Sequence, residues 1–324
     1  MQAVVTIGGG SGQFNLLSAL RDLDDVELTA VVSMTDSGGS TGRLRDELGI
    51  LPPGDVLKCI LALSPLRDVA RDLLLKRFES TRRLQGHTAG NMLLTMLSQY
   101  VGSFAKGVEA LAELLNVQGR ILPVTVDKAT LVAELESGER LFGEHAIDVP
   151  RGPGRSRIAN VFLVPHHADE ISVYPPVLEA IANADVVLIG PGDLYTSIVP
   201  SLLVPGVAAA LRDTGARLIY ISNIMTKYGE TEGYAVEDFL AVLQRYIGRP
   251  VPEVIYNTHL PSPELLARYA CEHAAPVQLN NPGCRTLYVH AHDLIEDGVD
   301  LLRHDAAKLA QVLRAVLAGN GEAA

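Results

Sequence analysis

Val4-Val5-Thr6-Ile7-Gly8-Gly9-Gly10-Ser11-Gly12 runs without a break into Gln13-Phe14-Asn15-Leu16-Leu17-Ser18-Ala19-Leu20, and the change of period between the two halves decides the fold. Val4, Val5 and Ile7 are apolar and β-branched, as suits a buried parallel strand. Phe14, Leu17, Leu20 and Leu23 recur at the spacing of a helix packed on a sheet. The glycine loop lies where the period changes. Gly8, Gly9, Gly10 and Gly12 remove the Cβ atoms that would keep backbone N–H groups away from an anion, Ser11 adds a hydroxyl, and the helix that follows contributes its positive N-terminal end. A phosphate is the natural guest; the competing reading is a tight turn that merely joins strand to helix. Neither standard nucleotide motif fits. Gln13 stands where a Walker A sequence needs lysine, and also where the dinucleotide fingerprint needs its third glycine.

The 324 residues are enough for one large α/β unit with a sizeable core, read here as a single domain over residues 1–317 with a frayed tail at 318–324. The net charge of −11 argues against a nucleic-acid or anionic-membrane surface, because a phosphate polymer would meet net repulsion. Cys59, Cys271 and Cys284 are odd in number and contain no Cys-x-x-Cys pair, which suggests neither a disulfide framework nor a zinc site. The chain enters a strand at once, and no apolar run approaches the roughly 18 residues needed to span a bilayer. A cytoplasmic protein without membrane insertion is expected.

Further along, Val26 to Met34 reads as a second strand, ending in Thr35-Asp36-Ser37-Gly38-Gly39-Ser40-Thr41-Gly42-Arg43. Loops at the carboxyl ends of parallel strands converge on one crevice, so this polar mouth should face the first glycine loop. Asp36 can accept from a ribose hydroxyl, hold a magnesium ion or cap a turn, while Ser40, Thr41 and Arg43 can donate to phosphate; a plain turn competes with both. Arg43 to Leu48 reads as a short charged helix, stopped by Gly49 and the rigid turn Leu51-Pro52-Pro53-Gly54-Asp55. Asp55 is placed to cap a helix over Val56 to Leu63, and Lys58, one turn inside, reaches either solvent or the crevice.

The stretch from Arg67 to Arg83 reads as an amphipathic helix with a solvated face. Gln85-Gly86-His87-Thr88-Ala89-Gly90-Asn91 then delivers a helix start: Thr88 is a candidate cap, and His87 and Asn91, four apart, share one side of the first turn. His87 is a catalytic candidate only because Gly86 and Gly90 permit close approach; a structural histidine is the equal alternative. From Arg120 the period shortens, and Ser137-Gly138 turns a β-hairpin out of the parallel sheet, an excursion placed at about residues 120–160. Arg151 to Arg157 reads as an exposed basic loop, and His166-His167 as a solvent-facing pair.

Ala184 to Ile189 runs into a second glycine mouth, Gly190-Pro191-Gly192-Asp193-Leu194-Tyr195-Thr196-Ser197. Gly190 and Gly192 free the backbone, Thr196 or Ser197 can cap the helix beyond, and Tyr195 offers a ring and a hydroxyl. A buried strand-to-helix turn is the bland alternative. Arg217 to Asn223 is a further strand, and its loop brings Asn223 and Thr226, able to read a base or a sugar. Val254 to Asn257 is the next strand, Glu264 to His273 a helix carrying Tyr269, and Val289 to His292 a strand whose two histidines are read as structural.

In this order the motifs Ile7 to Gly12, Thr35 to Asp55, Gly86 to Asn91, Gly190 to Ser197 and Asn223 to Thr226 resemble the gluconeogenesis factor family of the YvcK type (UPF0052), within the CofD-like superfamily. The resemblance spans residues 1 to about 275. It implies a Rossmann-like α/β fold with a mostly parallel, doubly wound sheet, and a protein that binds UDP-sugars such as UDP-N-acetylglucosamine. It also implies a part in cell shape and cell-wall synthesis on gluconeogenic carbon sources, with regulators of wall synthesis as partners; self-association is left open. The relative CofD is a magnesium-using 2-phospho-L-lactate transferase of coenzyme F420 biosynthesis. Carried over by position, Asp36 is its metal-side aspartate, although Thr35-Asp36-Ser37 lacks the paired aspartates usual there. Ser11 stands where threonine is usual. Tyr269 resembles the family tyrosine associated with the uridine nucleotide.

Two functions follow. In the first, a nucleotide-sugar-binding regulator needing no cofactor, Gly8 to Gly12 and Gly190 to Ser197, including Pro191 and Asp193, hold the diphosphate, with Asn91, Asn223, Thr226 and Tyr269 as further contacts. In the second, a transferase, Asp36 positions magnesium, Ser40 and Arg43 steady the diphosphate, and His87 is the nearest general base. A nicotinamide oxidoreductase is a weaker third, given the poor fingerprint.

Overall fold

The computed structural model describes residues 1–38, 41–44, 50–79, 84–150, 152, 154–167, 169–281, 283–296 and 301–319, with residue 67 described by its backbone alone. Ser40 and most of the expected charged helix after Arg43 therefore lie outside the described residues, as does part of the basic loop and of the tail.

Ten strands are described: β1 (Gln2–Gly8), β2 (Val26–Val32), β3 (Arg120–Pro123), β4 (Ala129–Leu135), β5 (Arg140–Phe142), β6 (Ile158–Pro165), β7 (Val186–Ile189), β8 (Arg217–Ile221), β9 (Glu253–Asn257) and β10 (Tyr288–His292). Seven form one sheet in the order β10-β9-β8-β7-β1-β2-β3, every pair parallel. The chain winds outward from β1 to β3, returns to the far side of β1 as β7, and continues outward to β10. This is a doubly wound sheet whose direction reverses between β1 and β7, the position at which such sheets open a crevice beyond their strand ends. The register aligns the exits, since Ile7 lies opposite both Val31 and Ile189. The loops after β1, β2 and β7 therefore leave the sheet at one level.

The helices are α1 (Gly10–Leu20), α2 (Gly54–Leu63), α3 (Arg67–Leu74), α4 (Ala89–Val101), α5 (Phe104–Leu114), α6 (Glu144–Asp148), α7 (Pro175–Ala182), α8 (Val199–Leu202), α9 (Val207–Asp213), α10 (Val236–Ile247), α11 (Pro263–Cys271) and α12 (Ala306–Leu317). A π-helical turn, Leu194–Ile198, precedes α8. β7 is buried at all four positions, as a strand covered on both faces must be. Helix α1 packs between α2 and α12. Gln13, the residue that spoils the dinucleotide fingerprint, is fully buried beneath the glycine loop. Its Nε2 donates to Thr6 Oγ1 (3.2 Å) and Val31 O (3.1 Å), and its Oε1 accepts from Cys59 Sγ (3.6 Å). One amide thus ties β1, β2 and α2 together, a satisfied polar link that a glycine would forfeit.

Three expectations need adjusting. The amphipathic helix expected from Arg67 to Arg83 ends at Leu74: Arg77 bridges Thr88 in strand fashion, and Phe78 N donates to His87 O, so extended pairing satisfies this backbone instead. Arg120–Pro123 joins the main sheet beside β2, and the hairpin excursion proper is the antiparallel sheet β5-β4-β6, turned at Ser137-Gly138 and carrying α6. Arg155, in the basic loop, lies half-buried with its guanidinium donating to Ile147 O. Among the described residues no single helix is long and apolar enough to cross a membrane.

Candidate functional site

Helix α1 starts with its amides uncovered. Gly9 is the extended residue before it, no side chain caps the first turn, and no acidic residue occupies that turn. Its first N–H groups thus have no intrahelical acceptor and carry the positive end of the helix dipole. Gly10, at φ +66°, sits in the left-handed region that glycine enters without steric cost. Gly12 faces the second glycine loop across van der Waals contact: a Cβ built on it would lie 2.7 Å from Pro191 C and 3.1 Å from Gly192 N. A Cβ on Gly192 would in turn lie 3.6 Å from Gly9 O, and one on Gly10 3.8 Å from Ser197 Oγ. The two glycine mouths are therefore one structure, closed at the reversal point of the sheet.

A cavity of about 350 Å³ opens at this junction, bounded by Ser11, Gly12, Gly192, Asn223, Tyr269 and His304 among others. Asn223 is oriented by two bonds, donating to Gly192 O (2.9 Å) and accepting from Tyr220 OH (3.1 Å). The Tyr269 hydroxyl accepts from Leu302 N (3.0 Å), fixing the segment 301–304 as the outer wall. That wall carried no motif signal in the sequence, because a few ordinary residues distant in the chain become walls only through packing.

The mouth after β2 supplies charge. Asp36 Oδ1 accepts from Gly38 N (2.9 Å). Asp55 accepts from Lys58 Nζ (2.9 Å), and a Cβ on Gly9 would sit 2.8 Å from Asp55 Oδ2. Asp55 is not the helix cap expected from sequence: Pro53 occupies the position before α2, and Asp55 turns its carboxylate onto the glycine loop and Lys58. Burial, then the neighbouring Asp55, pushes the Asp36 carboxyl up, against the pull of Gly38 N–H, Lys58 and Thr41. Burial works against the Lys58 ammonium, but Asp55 and Asp36 outweigh it and raise its pKa. Glu144, on α6, accepts from Ser37 N (3.1 Å); burial, with Asp36, Asp148 and Asp55 nearby, pushes it up to about 7. Asp55 thus brings a second carboxylate to the mouth that holds Asp36, engaged by the Lys58 ammonium. Two carboxylates and the Thr41 hydroxyl are hard oxygen donors of the kind magnesium accepts, but the Lys58 ammonium already sits on Asp55, so a metal here has to displace it.

A second acidic group holds a different cation. Asp148, Asp193 and Glu230 have carboxylate oxygens within 4.8 Å of one another, and the Lys227 ammonium occupies their centre, bonded to Asp148, to Asp193 (2.7 Å) and to Glu230 (3.2 Å). Burial pushes Glu230 up to about 8 despite Lys227. The Lys227 ammonium already occupies this group, so a metal does not fit there while it stands.

Several sequence candidates are turned inward. Tyr195 and Thr196 are buried; the Tyr195 hydroxyl meets that of Tyr234 (3.1 Å), and Thr196 Oγ1 donates to Glu230 (3.3 Å). Thr226 Oγ1 accepts from Ala275 N (3.0 Å), a loop tie. Arg43 stays exposed and donates to Gln85 O (2.6 Å), tying the stretch after the Asp36 mouth to the loop before α4. Thr88 does cap α4, accepting from Asn91 N (3.2 Å), and His87 is buried beside it. Gly190, at φ +76°, makes the turn out of β7.

Fold and site together define a doubly wound α/β protein with a glycine-lined crevice at the reversal point of its sheet. A family model described as 2-phospho-L-lactate transferase CofD matches residues 4–295. The gluconeogenesis factor of Halalkalibacterium halodurans is 38% identical over 313 residues, 96% of this chain and 95% of that one, and the gluconeogenesis factor of Bacillus subtilis is 35% identical over 96% of each. The crystal structure of a UPF0052 family member from Bacillus halodurans superposes with a TM-score of 0.89 at 37% identity, covering 96% of this chain and 99% of that one. The chain belongs to the gluconeogenesis factor family, with a CofD-like domain.

Proposed function

We infer that this chain is a nucleotide-sugar-binding regulator, taking a ligand of the UDP-N-acetylglucosamine type and linking cell shape and wall synthesis to carbon source. The observation that carries the reading is the closure of Gly12 on Pro191 and Gly192 beside the uncapped first turn of α1, with a cavity of about 350 Å³ against it. Main-chain amides there suit a diphosphate without a lysine clamp, while Asn223 and Tyr269 suit base or sugar. Ser11 and Asp193 stand at the rim of the same cavity.

The second reading, a magnesium-dependent transferase of the CofD type, is favoured by one observation, the pairing of Asp36 with Asp55 beside the glycine loop. Magnesium held by these carboxylates and Thr41 would neutralise a diphosphate donor at a mouth that is otherwise acidic.

Thermal unfolding with UDP-N-acetylglucosamine, GDP and NAD, each with and without magnesium, separates the readings. A ligand at about a hundred times its dissociation constant adds about 2.7 kcal/mol. Stabilisation by the UDP-sugar without magnesium supports the regulator. Magnesium-dependent stabilisation by GDP, abolished in Asp36→Ala, supports the transferase, and no stabilisation by any of them overturns both.

A further inference from the structure

Helix α4 reverses the distribution usual for a helix on a protein surface. Its inward positions are mostly small or polar: Asn91, Thr95 and Ser98 are buried together with Leu94. Thr95 Oγ1 donates to Asn91 O and Ser98 Oγ to Leu94 O (both 2.7 Å), so these hydroxyls are satisfied within the helix itself. Small side chains are needed there because α5 approaches closely: a Cβ on Gly107 would lie 2.8 Å from Ser98 Cα. The outward positions, by contrast, are apolar. Met92, Met96 and Tyr100 form one row at helical spacing, and Leu93, Leu97 and Val101 form the next. Tyr100 is 90% exposed and Met96 62%.

Helix α3 packs against α4 and adds Val69 and Leu73, 76% and 64% exposed, with Leu66 just before it. The exposed side chains of the two helices together leave roughly 800 Å² in water, more than the largest apolar patch of a typical monomer and the amount that each partner of a standard interface buries. Charge indicates the occupant. The chain carries a net charge of −11, yet none of the 13 residues of α4 is charged. Two copies meeting on a two-fold axis set each residue beside itself or its mate, so a charged face repels its own copy, and α4 offers no such charge.

We propose that the outward face of α4, flanked by α3, is a dimer interface that takes a second copy of this chain. With the two α4 helices antiparallel and Met96 at the axis, each Tyr100 ring meets the Met92 thioether of the other copy, a favourable sulfur–aromatic contact.

Sedimentation equilibrium of the full chain tests it. Interfaces of this size give micromolar or tighter dissociation constants, so a dimer is expected between about 1 and about 100 µM. Met96→Glu brings two carboxylates together at the axis, and Tyr100→Glu buries one without a partner; each is expected to weaken the dimer at least about a hundredfold. Both variants keep the circular dichroism spectrum of the parent, because both side chains are exposed in the single chain. Leu260→Glu, at a position 61% exposed after β9, is the control and leaves the dimer intact. A parent that stays monomeric up to about 100 µM overturns the proposal and leaves the face to a different protein or a lipid surface. A dimer that survives both Met96→Glu and Tyr100→Glu has its contact elsewhere and overturns the proposal equally.

Discussion

Replacing Gly12 by alanine tests the junction on which the crevice depends. The new Cβ would lie 2.7 Å from Pro191 C and 3.1 Å from Gly192 N, and closer still to Pro191 O, against an ordinary contact beginning at 3.4 Å. All three atoms are backbone, so no side chain can swing aside; α1 and the loop after β7 must part by about 0.7 Å or more. Alanine gains up to about 1 kcal/mol of helix propensity over glycine, whereas overpacking of this kind costs about 1–3 kcal/mol. The expected net is a loss of about 1–2 kcal/mol in urea unfolding, together with at least about tenfold weaker UDP-N-acetylglucosamine binding, since the amides of both loops move apart. Gly215→Ala is the control, because nothing lies within 4 Å of its Cβ, and it should be neutral or slightly stabilising. A Gly12→Ala protein as stable as the parent, with unchanged affinity, would refute the reasoning.

Glu144→Gln addresses the acidic mouth. The raised pKa, about 7 against 4.5 for the unperturbed group, means that the folded chain keeps a proton which the unfolded chain releases, so this stability is fully present below pH 4.5 and lost as pH rises towards 7. Urea melts of parent and variant should diverge across that window with the parent losing more; parallel curves would contradict the assignment. Lys227→Ala leaves Asp148, Asp193 and the fully buried Glu230 without their cation, and a loss of at least about 2 kcal/mol is expected, partly restored by millimolar calcium, which the vacated oxygens can hold. Unchanged stability in the variant would mean that the ammonium contributes nothing to holding α6 against the second glycine loop.

The strand–glycine–helix order at both mouths was readable because local chemistry suffices: β-branched runs, glycines at the change of period and helical spacing after it. Thr88 as a cap was readable for the same reason. Asp55 was misjudged, because Pro52-Pro53-Gly54 fixes a turn without revealing that the carboxylate after it points back onto Gly9. Tyr195 and Thr196 were over-read: polar side chains in a glycine loop look available until Glu230 and Tyr234, more than thirty positions away, are seen to hold them.

By itself the sequence determined the class of fold, the parallel sheet and the two glycine mouths, because these follow from periodicity and from the conformational freedom of a few residues. Only the tertiary structure decided that Gly12 meets Pro191, that Asp55 comes near Asp36, that Lys227 fills the acidic trio and that His304 walls the glycine-lined cavity. The first and third depend on the loop after β7, which the reversal of strand order sets beside the loop after β1, and all are packing outcomes that no local stretch encodes.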